Sequence, residues 1–295
     1  MKRFTILILI LTCALFVQAQ EEETDTASLW QTDGTTTLNF SQVSFENWAA
    51  GGENSYSLNG MFSVSANYKK DRTSWENSLD IGYGIIKQGG RGVRKSDDKI
   101  EITSKYGYKS SSDWYYSGAF SFKTQFDKGY NYDEDAGTKS RISDFMAPAY
   151  MLLSLGMDYK PSEHFTLLLS PLTGKTTFVL NDSLSDSGSF GVEPGKNIRN
   201  EFGGFVKVGY KQEIWDNVKL NTKLELFSNY LEDAQNVDVN WDILISMKIN
   251  EYLSANLNTQ LIYDDDINYI DDDGNRHGPR IQLKEVFGVG FSYNF

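Results

Sequence analysis

Cysteine, proline and histidine are scarce in this sequence. The chain has one cysteine, Cys13, five prolines, and two histidines, His164 and His277. A single cysteine cannot form an internal disulfide, which excludes a disulfide framework within one chain. Two histidines far apart in sequence cannot alone complete a zinc site, which usually takes three or four protein ligands. The sequence therefore predicts no metal site and no cofactor.

Long apolar runs are also lacking after Val17, and the mean hydropathy is −0.44. A helical membrane span needs about twenty consecutive apolar residues, so helical spans are not expected in the mature chain. Basic residues are outnumbered, with 28 Lys and Arg against 40 Asp and Glu and a net charge of −12. Binding to nucleic acid depends on basic patches, so a nucleic-acid partner is not expected.

The N-terminus has the order of a secretory signal peptide: Met1 to Arg3 are followed by an apolar run from Phe4 to Val17 and by Gln18-Ala19-Gln20. We assign residues 1–19 to the signal. Cys13 is preceded by Ile10-Leu11-Thr12, which lacks the small residue expected before a lipidated cysteine, so a lipoprotein is the less favoured alternative. Residues 20–33 are predicted as a polar lead that is either disordered or folded into the barrel as a plug.

Aromatic residues make up 14% of the chain, and apolar residues recur at every second position, as they do in β-strands. The C-terminal segment shows this best. One of its faces carries Phe287, Val289, Phe291, Tyr293 and Phe295. The other carries Val286, Gly288, Gly290, Ser292 and Asn294. A strand of this kind suits a transmembrane barrel, in which alternate residues face lipid and a polar lumen.

Twelve segments follow this pattern, which predicts an all-β fold: a transmembrane, antiparallel, up-and-down β-barrel of about 12 strands over residues 34–295. The predicted strands are 34–43, 54–69, 73–88, 98–109, 113–127, 147–160, 164–180, 198–213, 217–231, 237–250, 252–264 and 279–295. Short and long connections alternate between them, as periplasmic turns and external loops do. Aromatic residues such as Tyr68, Trp75, Trp114 and Tyr159 lie near the short turns, as expected at a membrane interface.

Charged residues of both signs are predicted to face the lumen. The candidates are Lys105, Lys123, Glu201, Lys207, Lys223, Glu225, Asp242 and Lys248. A barrel of about eight strands is filled by side chains, whereas about sixteen leave a channel, so twelve strands allow either outcome. The lysines line a solute pathway in one interpretation. In the other, which the mixed signs favour, the charges neutralise one another and merely hydrate the interior.

The predicted external loops are acidic, with runs at Asp133–Asp135, Asp264–Asp266 and Asp271–Asp273. The segment Asp271 to Gly274 does not reproduce the spacing of the EF-hand calcium loop, so solvated loops are the favoured interpretation. Pro171 cannot donate a hydrogen bond to a neighbouring strand, which predicts a bulge there and a nearby Lys175 that points into the lumen.

A catalytic site is not predicted. His164 lies in a predicted turn beside Ser162 and Glu163, too local a grouping to form a catalytic triad, and no serine is indicated as a partner for His277. We therefore expect that the protein is not an enzyme.

Three segments carry a family resemblance: FSQVSFENWAAGGENS (Phe40–Ser55), SPLTGKTTFVL (Ser170–Leu180) and FGVGFSYNF (Phe287–Phe295). They resemble a Bacteroidota family of outer-membrane barrels known only as a domain of unknown function, number three thousand and seventy-eight. The resemblance implies a location and a fold but no activity. It also implies that the terminal Phe295 is the end signal read by the barrel-assembly machinery.

Asn47, Trp48, Gly51 and Gly52 are the candidate external-loop motif, with glycines that allow positive φ. Trp48 covers the lumen, engages a partner, or anchors the outer membrane interface.

Two functions are compatible with these features. The first is a narrow pore or transporter for small solutes in the cell outer membrane, reached by export through the cleaved signal peptide. The alternative is a closed structural or interaction barrel that presents its external loops to a partner protein or a surface polymer. In both, the expected partners are outer-membrane lipid, lipopolysaccharide and, during biogenesis, the barrel-assembly machinery.

Overall fold

The computed structural model describes residues 29–46, 50, 52–133, 137–270 and 276–295. The predicted signal peptide at 1–19 and residues 20–28 of the predicted lead lie outside these described residues. The described chain forms a closed antiparallel barrel of twelve strands. The predicted fold class is therefore confirmed.

The barrel strands are β1 (Trp30–Val43), β2 (Ser55–Lys70), β3 (Thr73–Gln88), β4 (Arg94–Lys109), β5 (Trp114–Thr124), β8 (Ala149–Tyr159), β9 (Phe165–Phe178), β10 (Ile198–Trp215), β11 (Val218–Asn229), β12 (Asp238–Lys248), β13 (Leu253–Tyr263) and β16 (Gln282–Asn294). Their order around the ring is β1-β16-β13-β12-β11-β10-β9-β8-β5-β4-β3-β2. Two hairpins, β6 (Gly129–Asp133) with β7 (Thr138–Ser143) and β14 (Asn268–Ile270) with β15 (Arg276–Pro279), stand apart from it.

Two strands begin four residues earlier than predicted. β1 starts at Trp30 instead of residue 34, and the Trp30 ring packs against Tyr68 at 5.3 Å and Trp75 at 5.7 Å between centroids. β4 starts at Arg94 instead of residue 98, in a polar stretch where Lys95 forms an ion pair with Asp98 at 2.8 Å. Most residues at both starts are polar, so the apolar alternation that indicates a strand is missing there.

The tight connections lie at one end of the barrel, here called the short-turn end, and the opposite end is the long-loop end. At the short-turn end only residues 71–72 join β2 to β3, and only 216–217 join β10 to β11. Asp71 and Asn217 adopt φ values of 51° and 64° in these turns. The predicted length alternation fails at one place. The early start of β4 shortens the 89–93 connection to the length of the 160–164 turn.

The bulge predicted at Pro171 is present. The β8–β9 register shifts between Leu155 and Met157, and the β9–β10 register shifts between Gly203 and Phe205. The backbones crowd there, since a Cβ on Gly156 would lie 2.1 Å from the Leu169 carbonyl oxygen. Lys175, four residues beyond the proline, points into the lumen as expected, where it forms ion pairs with carboxylates of other strands.

The ring closes between β1 and β16. The amide of Gly34 donates to the Phe295 carbonyl at 2.8 Å, and the Phe295 amide donates to the Gly34 carbonyl at 3.0 Å. The Phe295 ring lies over Gly34, where a Cβ would come within 2.1 Å of it. A side chain at position 34 would therefore displace the Phe295 ring from its place over the closing strands.

The long-loop end contains its own small core. Ala147, Val179, Leu184 and Val192 are buried together, with Phe190 packed against them. A short helix, α1 (Asp182–Asp186), begins at Asn181, whose side chain caps it by accepting from the Leu184 amide. This core orders the 179–197 connection. Among the described residues, no helix is long and apolar enough to cross a membrane.

Candidate functional site in the lumen

Glu101 of β4 is the centre of a charge network inside the barrel. Its side chain is fully buried, and its carboxylate lies 2.7 Å from Lys99, 2.8 Å from Lys223 and 3.5 Å from Lys123. Strand periodicity places Lys99, two residues before it, on the same lumen-facing side. A buried carboxylate is stable only when it is paired, and three lysines supply that pairing here.

Glu225 of β11 extends this network. Its carboxylate lies 2.8 Å from Lys123 and 3.0 Å from Lys207, while Lys223 also approaches Asp242 at 3.8 Å. We call the whole set the central network: Lys99, Glu101, Lys123, Lys207, Lys223, Glu225 and Asp242. Four lysines thus face three carboxylates, so the charges are nearly balanced. Five of the eight predicted lumen residues belong to this network.

The central network crosses the lumen. Lys223 on β11 and Glu101 on β4 are five steps apart around the twelve-strand ring, along β11-β10-β9-β8-β5-β4. The largest separation in such a ring is six steps, so the pair joins nearly opposite walls. Lys284 on β16 and Asp97 on β4 make a second crossing nearer the long-loop end. Both ion pairs therefore span the lumen.

An apolar cluster adjoins the network on the lumen side. Leu168, Phe205 and Phe227 are buried together, with Ala119 and Leu152 packed against them. The ammonium of Lys175 lies 4.9 Å from the centroid of the Phe227 ring. Lumen positions of a wide channel are usually polar, so this cluster indicates that side chains fill part of the interior.

A second group of charges, the short-turn cluster, consists of Glu76, Lys105, Asp158 and Lys160. Lys105 lies 2.6 Å from Asp158 and 3.1 Å from Glu76, and Lys160 pairs with both carboxylates. Lys105 was a predicted lumen residue. Glu76 was missed, although its spacing from Ser78 and Asp80 places all three on one face of β3.

A third group, the long-loop cluster, consists of Lys175, Arg199, Glu201, Asp238, Asp264 and Asp266. Lys175 lies 2.7 Å from Asp238 and 3.4 Å from Glu201, and Arg199 lies 2.6 Å from Asp266. Carboxylate oxygens of Asp238, Asp264 and Asp266 fall within 4.8 Å of one another. Burial raises the pKa of the Asp264 carboxyl, against the opposing charge of Lys175. Through its contact with Lys175, the predicted lumen residue Glu201 belongs to this cluster.

Other predicted positions do not join these groups. Lys248 is exposed at the short-turn end, on the same strand face as Asp242 but away from the central network. Asn47, Trp48 and Gly51 of the predicted loop motif lie outside the described residues. Gly52 has the expected positive φ, 131°. His164 makes a local contact, with its Nδ1 3.1 Å from the Lys211 carbonyl oxygen.

A cavity of about 380 Å³ lies in the short-turn half of the lumen. Lys207 and Glu225 of the central network line it on one side, and Glu76, Lys105 and Asp158 of the short-turn cluster line it elsewhere. The central network thus forms its boundary toward the long-loop end. Lys211, which also lines it, is exposed near the short turns, so the cavity reaches that end of the barrel.

A second cavity, of about 520 Å³, lies at the long-loop end between the 187–200 region, Glu232 and Asp266.

The sequence that includes the first long connection matches a known protein family. Residues 40–130 match the family described as Protein of unknown function (DUF3078). The DUF3078 match includes the Phe40–Ser55 segment on which the resemblance was based, and it confirms that resemblance. It does not extend to Ser170–Leu180 or Phe287–Phe295. No curated protein matches the chain.

Solved barrels share the fold at low sequence identity. The translocator domain of the autotransporter NalP from Neisseria meningitidis is 12% identical, with 92% of this chain and 90% of that one covered and a TM-score of 0.37. The NanC porin is 8% identical, with 88% and 98% covered and a TM-score of 0.41. An outer membrane channel from Pseudomonas putida F1 is 13% identical, with 93% and 99% covered and a TM-score of 0.39. These likenesses concern the fold alone.

Proposed function

We propose that this protein is a non-enzymatic barrel of the cell outer membrane that is closed at mid-height and presents its long-loop end to a partner protein or surface polymer. The crossing of the lumen by the central network carries the proposal. A solute that moved along the axis would have to separate Lys223 from Glu101, which are 2.8 Å apart. Leaving one charge of a buried pair without its partner costs about 3–5 kcal/mol, which makes such passage slow.

The order of the long-loop end supports presentation to a partner. The 179–197 connection is held on a buried apolar core, and the strands of the β6–β7 and β14–β15 hairpins pair with each other outside the barrel sheet. A surface that is ordered before binding loses less conformational entropy when a partner docks. The long-loop end is therefore suited to recognition.

The outer face supports the proposed location. Large apolar side chains on alternate positions are exposed there, including Leu153, Leu155, Phe287, Phe291 and Tyr293. Such a surface is stable only in contact with lipid. We therefore propose that outer-membrane lipid and lipopolysaccharide surround the barrel and that the barrel-assembly machinery inserts it.

Conductance in planar bilayers tests the closed lumen. We expect the folded wild-type protein to show no stable unitary conductance. The double variant Glu101→Ser with Lys223→Ser removes both charges of the crossing pair, and we expect it to conduct, because the contact between these two side chains across the lumen is lost while the net charge stays the same. The matched control is Glu163→Ser with Lys248→Ser, which removes one charge of each sign at exposed positions and should stay silent.

Stable unitary conductance of the wild-type protein would contradict the proposal. Heat-modifiable migration on a gel verifies that each variant is folded before it is reconstituted.

A narrow pore for small solutes is the second candidate, and the cavity in the short-turn half of the lumen favours it. In that case Lys207 and Lys223 line the path, and Lys207→Glu with Lys223→Glu should shift the selectivity of the pore from anions toward cations. Reversal potentials in asymmetric salt measure this shift. Unchanged selectivity would show that these side chains do not line a conducting path.

A further inference from the structure

The cavity in the short-turn half of the lumen has walls of two chemical kinds. One wall is apolar and is formed by Ala119, Leu152, Leu168 and Phe205. Hydroxyl and amide side chains line the rest, among them Ser65, Asn67, Ser78, Thr103, Ser121 and Asn221. Small-molecule sites commonly combine an apolar surface with a few convergent polar groups in volumes of about 300–1,000 Å³.

All the charges around this cavity are paired with one another except Lys211, which is exposed near the short turns. Lys105 lies between Asp158 at 2.6 Å and Glu76 at 3.1 Å, and Lys207 lies 3.0 Å from Glu225. A charged ligand would have to compete with these pairs, whereas hydroxyl groups of an uncharged ligand can bond to the serine, threonine and asparagine side chains. The cavity therefore favours an uncharged ligand that is rich in hydroxyl groups.

We propose that this cavity binds an uncharged saccharide of one or two rings. A sugar ring has C–H groups that pack on an apolar surface such as Phe205, and hydroxyl groups around its edge that hydrogen-bond to polar side chains. The cavity offers both kinds of surface. Its volume of about 380 Å³ accommodates a ligand of that size.

The ligand enters from the short-turn end. The central network bounds the cavity on the other side through Lys207 and Glu225, whereas the exposed Lys211 belongs to its lining near the short turns. The site therefore serves the compartment that the short turns face. This inference goes beyond the proposed function and does not depend on whether the barrel conducts.

Binding to the purified full-length protein in detergent micelles tests the inference. The probes are glucose and maltose, with glucose 6-phosphate as the charged comparison, and the readouts are saturation-transfer NMR and titration calorimetry. We expect saturable binding of at least one neutral sugar, and an affinity for glucose 6-phosphate that is lower by about tenfold or more.

A cavity-filling variant tests whether the sugar binds in this cavity or binds nonspecifically elsewhere. Ala119→Phe places a ring in the cavity, and we expect it to weaken sugar binding by about tenfold or more. Ser57→Leu, a lumen-facing change on β2 outside the cavity lining, is the matched control and should bind as the wild type does. Both variants must show heat-modifiable migration before they are compared.

Three results would overturn the inference: no saturable binding of either neutral sugar by folded wild-type protein, unchanged binding by folded Ala119→Phe, or tighter binding of glucose 6-phosphate. None of these results bears on the conductance measurement, so the failure of one proposal is distinguishable from the failure of the other.

Discussion

Glu101→Ala is expected to lower the free energy of unfolding by about 3–5 kcal/mol, because it removes one partner from a buried set of ion pairs. Lys99, Lys123 and Lys223 all lie within 3.5 Å of this carboxylate. Without it, these lysines would repel one another inside the barrel. Urea-induced unfolding of the purified protein in lipid vesicles, followed by tryptophan fluorescence, measures the loss.

Two further variants test whether the loss of stability comes from the buried charge of Glu101. Glu163→Ala removes a carboxylate from the exposed turn after β8 and should change the stability by less than about 0.5 kcal/mol. Glu101→Gln keeps the volume of the side chain and should remain strongly destabilising, since the lost charge is the cause. A loss below about 1 kcal/mol for Glu101→Ala would show that water, and not the network, satisfies the lysines.

Gly290→Val is expected to prevent most of the protein from reaching the heat-modifiable folded form. A Cβ at this position would lie 2.1 Å from the Leu38 carbonyl oxygen and 2.6 Å from the Asn39 Cα. Both atoms belong to β1, with which β16 closes the ring. Backbone atoms cannot move aside as a flexible side chain can, so the closing strands would have to separate. Semi-native gel migration of membrane extracts measures the folded fraction.

Gly174→Val is the matched control for this prediction. It places the same side chain on another barrel strand, at a glycine with no heavy atom within 4 Å of the new Cβ, and the folded fraction should stay near that of the wild type. A folded majority for Gly290→Val would mean that β1 and β16 can close with a different spacing or register.

Periodicity predicted the barrel because the side chains of a strand alternate between its two faces, whichever strands it pairs with. All twelve predicted strands are present, including the C-terminal segment with Phe287, Phe291 and Phe295 on one face. The Pro171 bulge was predicted for a similarly local reason, namely the missing amide hydrogen. The starts of β1 and β4 were missed because residues there are held by packing and pairing between strands, which a local pattern does not contain.

The sequence predicted which residues face the lumen, but it did not predict which of them lie together in a cluster. Lys105, Lys123 and Glu201 follow the same alternation, yet each belongs to a different cluster in the folded barrel. Lys248 follows it too and joins none of the three clusters. Whether a residue belongs to a cluster depends on its height along the barrel axis and on the position of its strand around the ring. Strand alternation specifies neither of these.

The amino-acid sequence by itself determined the strand number, the inner and outer faces, and the presence of both charge signs inside, because these follow from local alternation. Only the tertiary structure decided that Lys223 meets Glu101 across the lumen and that a cavity with one apolar wall lies below this contact. The physical reason is closure of the ring, which brings residues more than a hundred positions apart to within 2.8 Å.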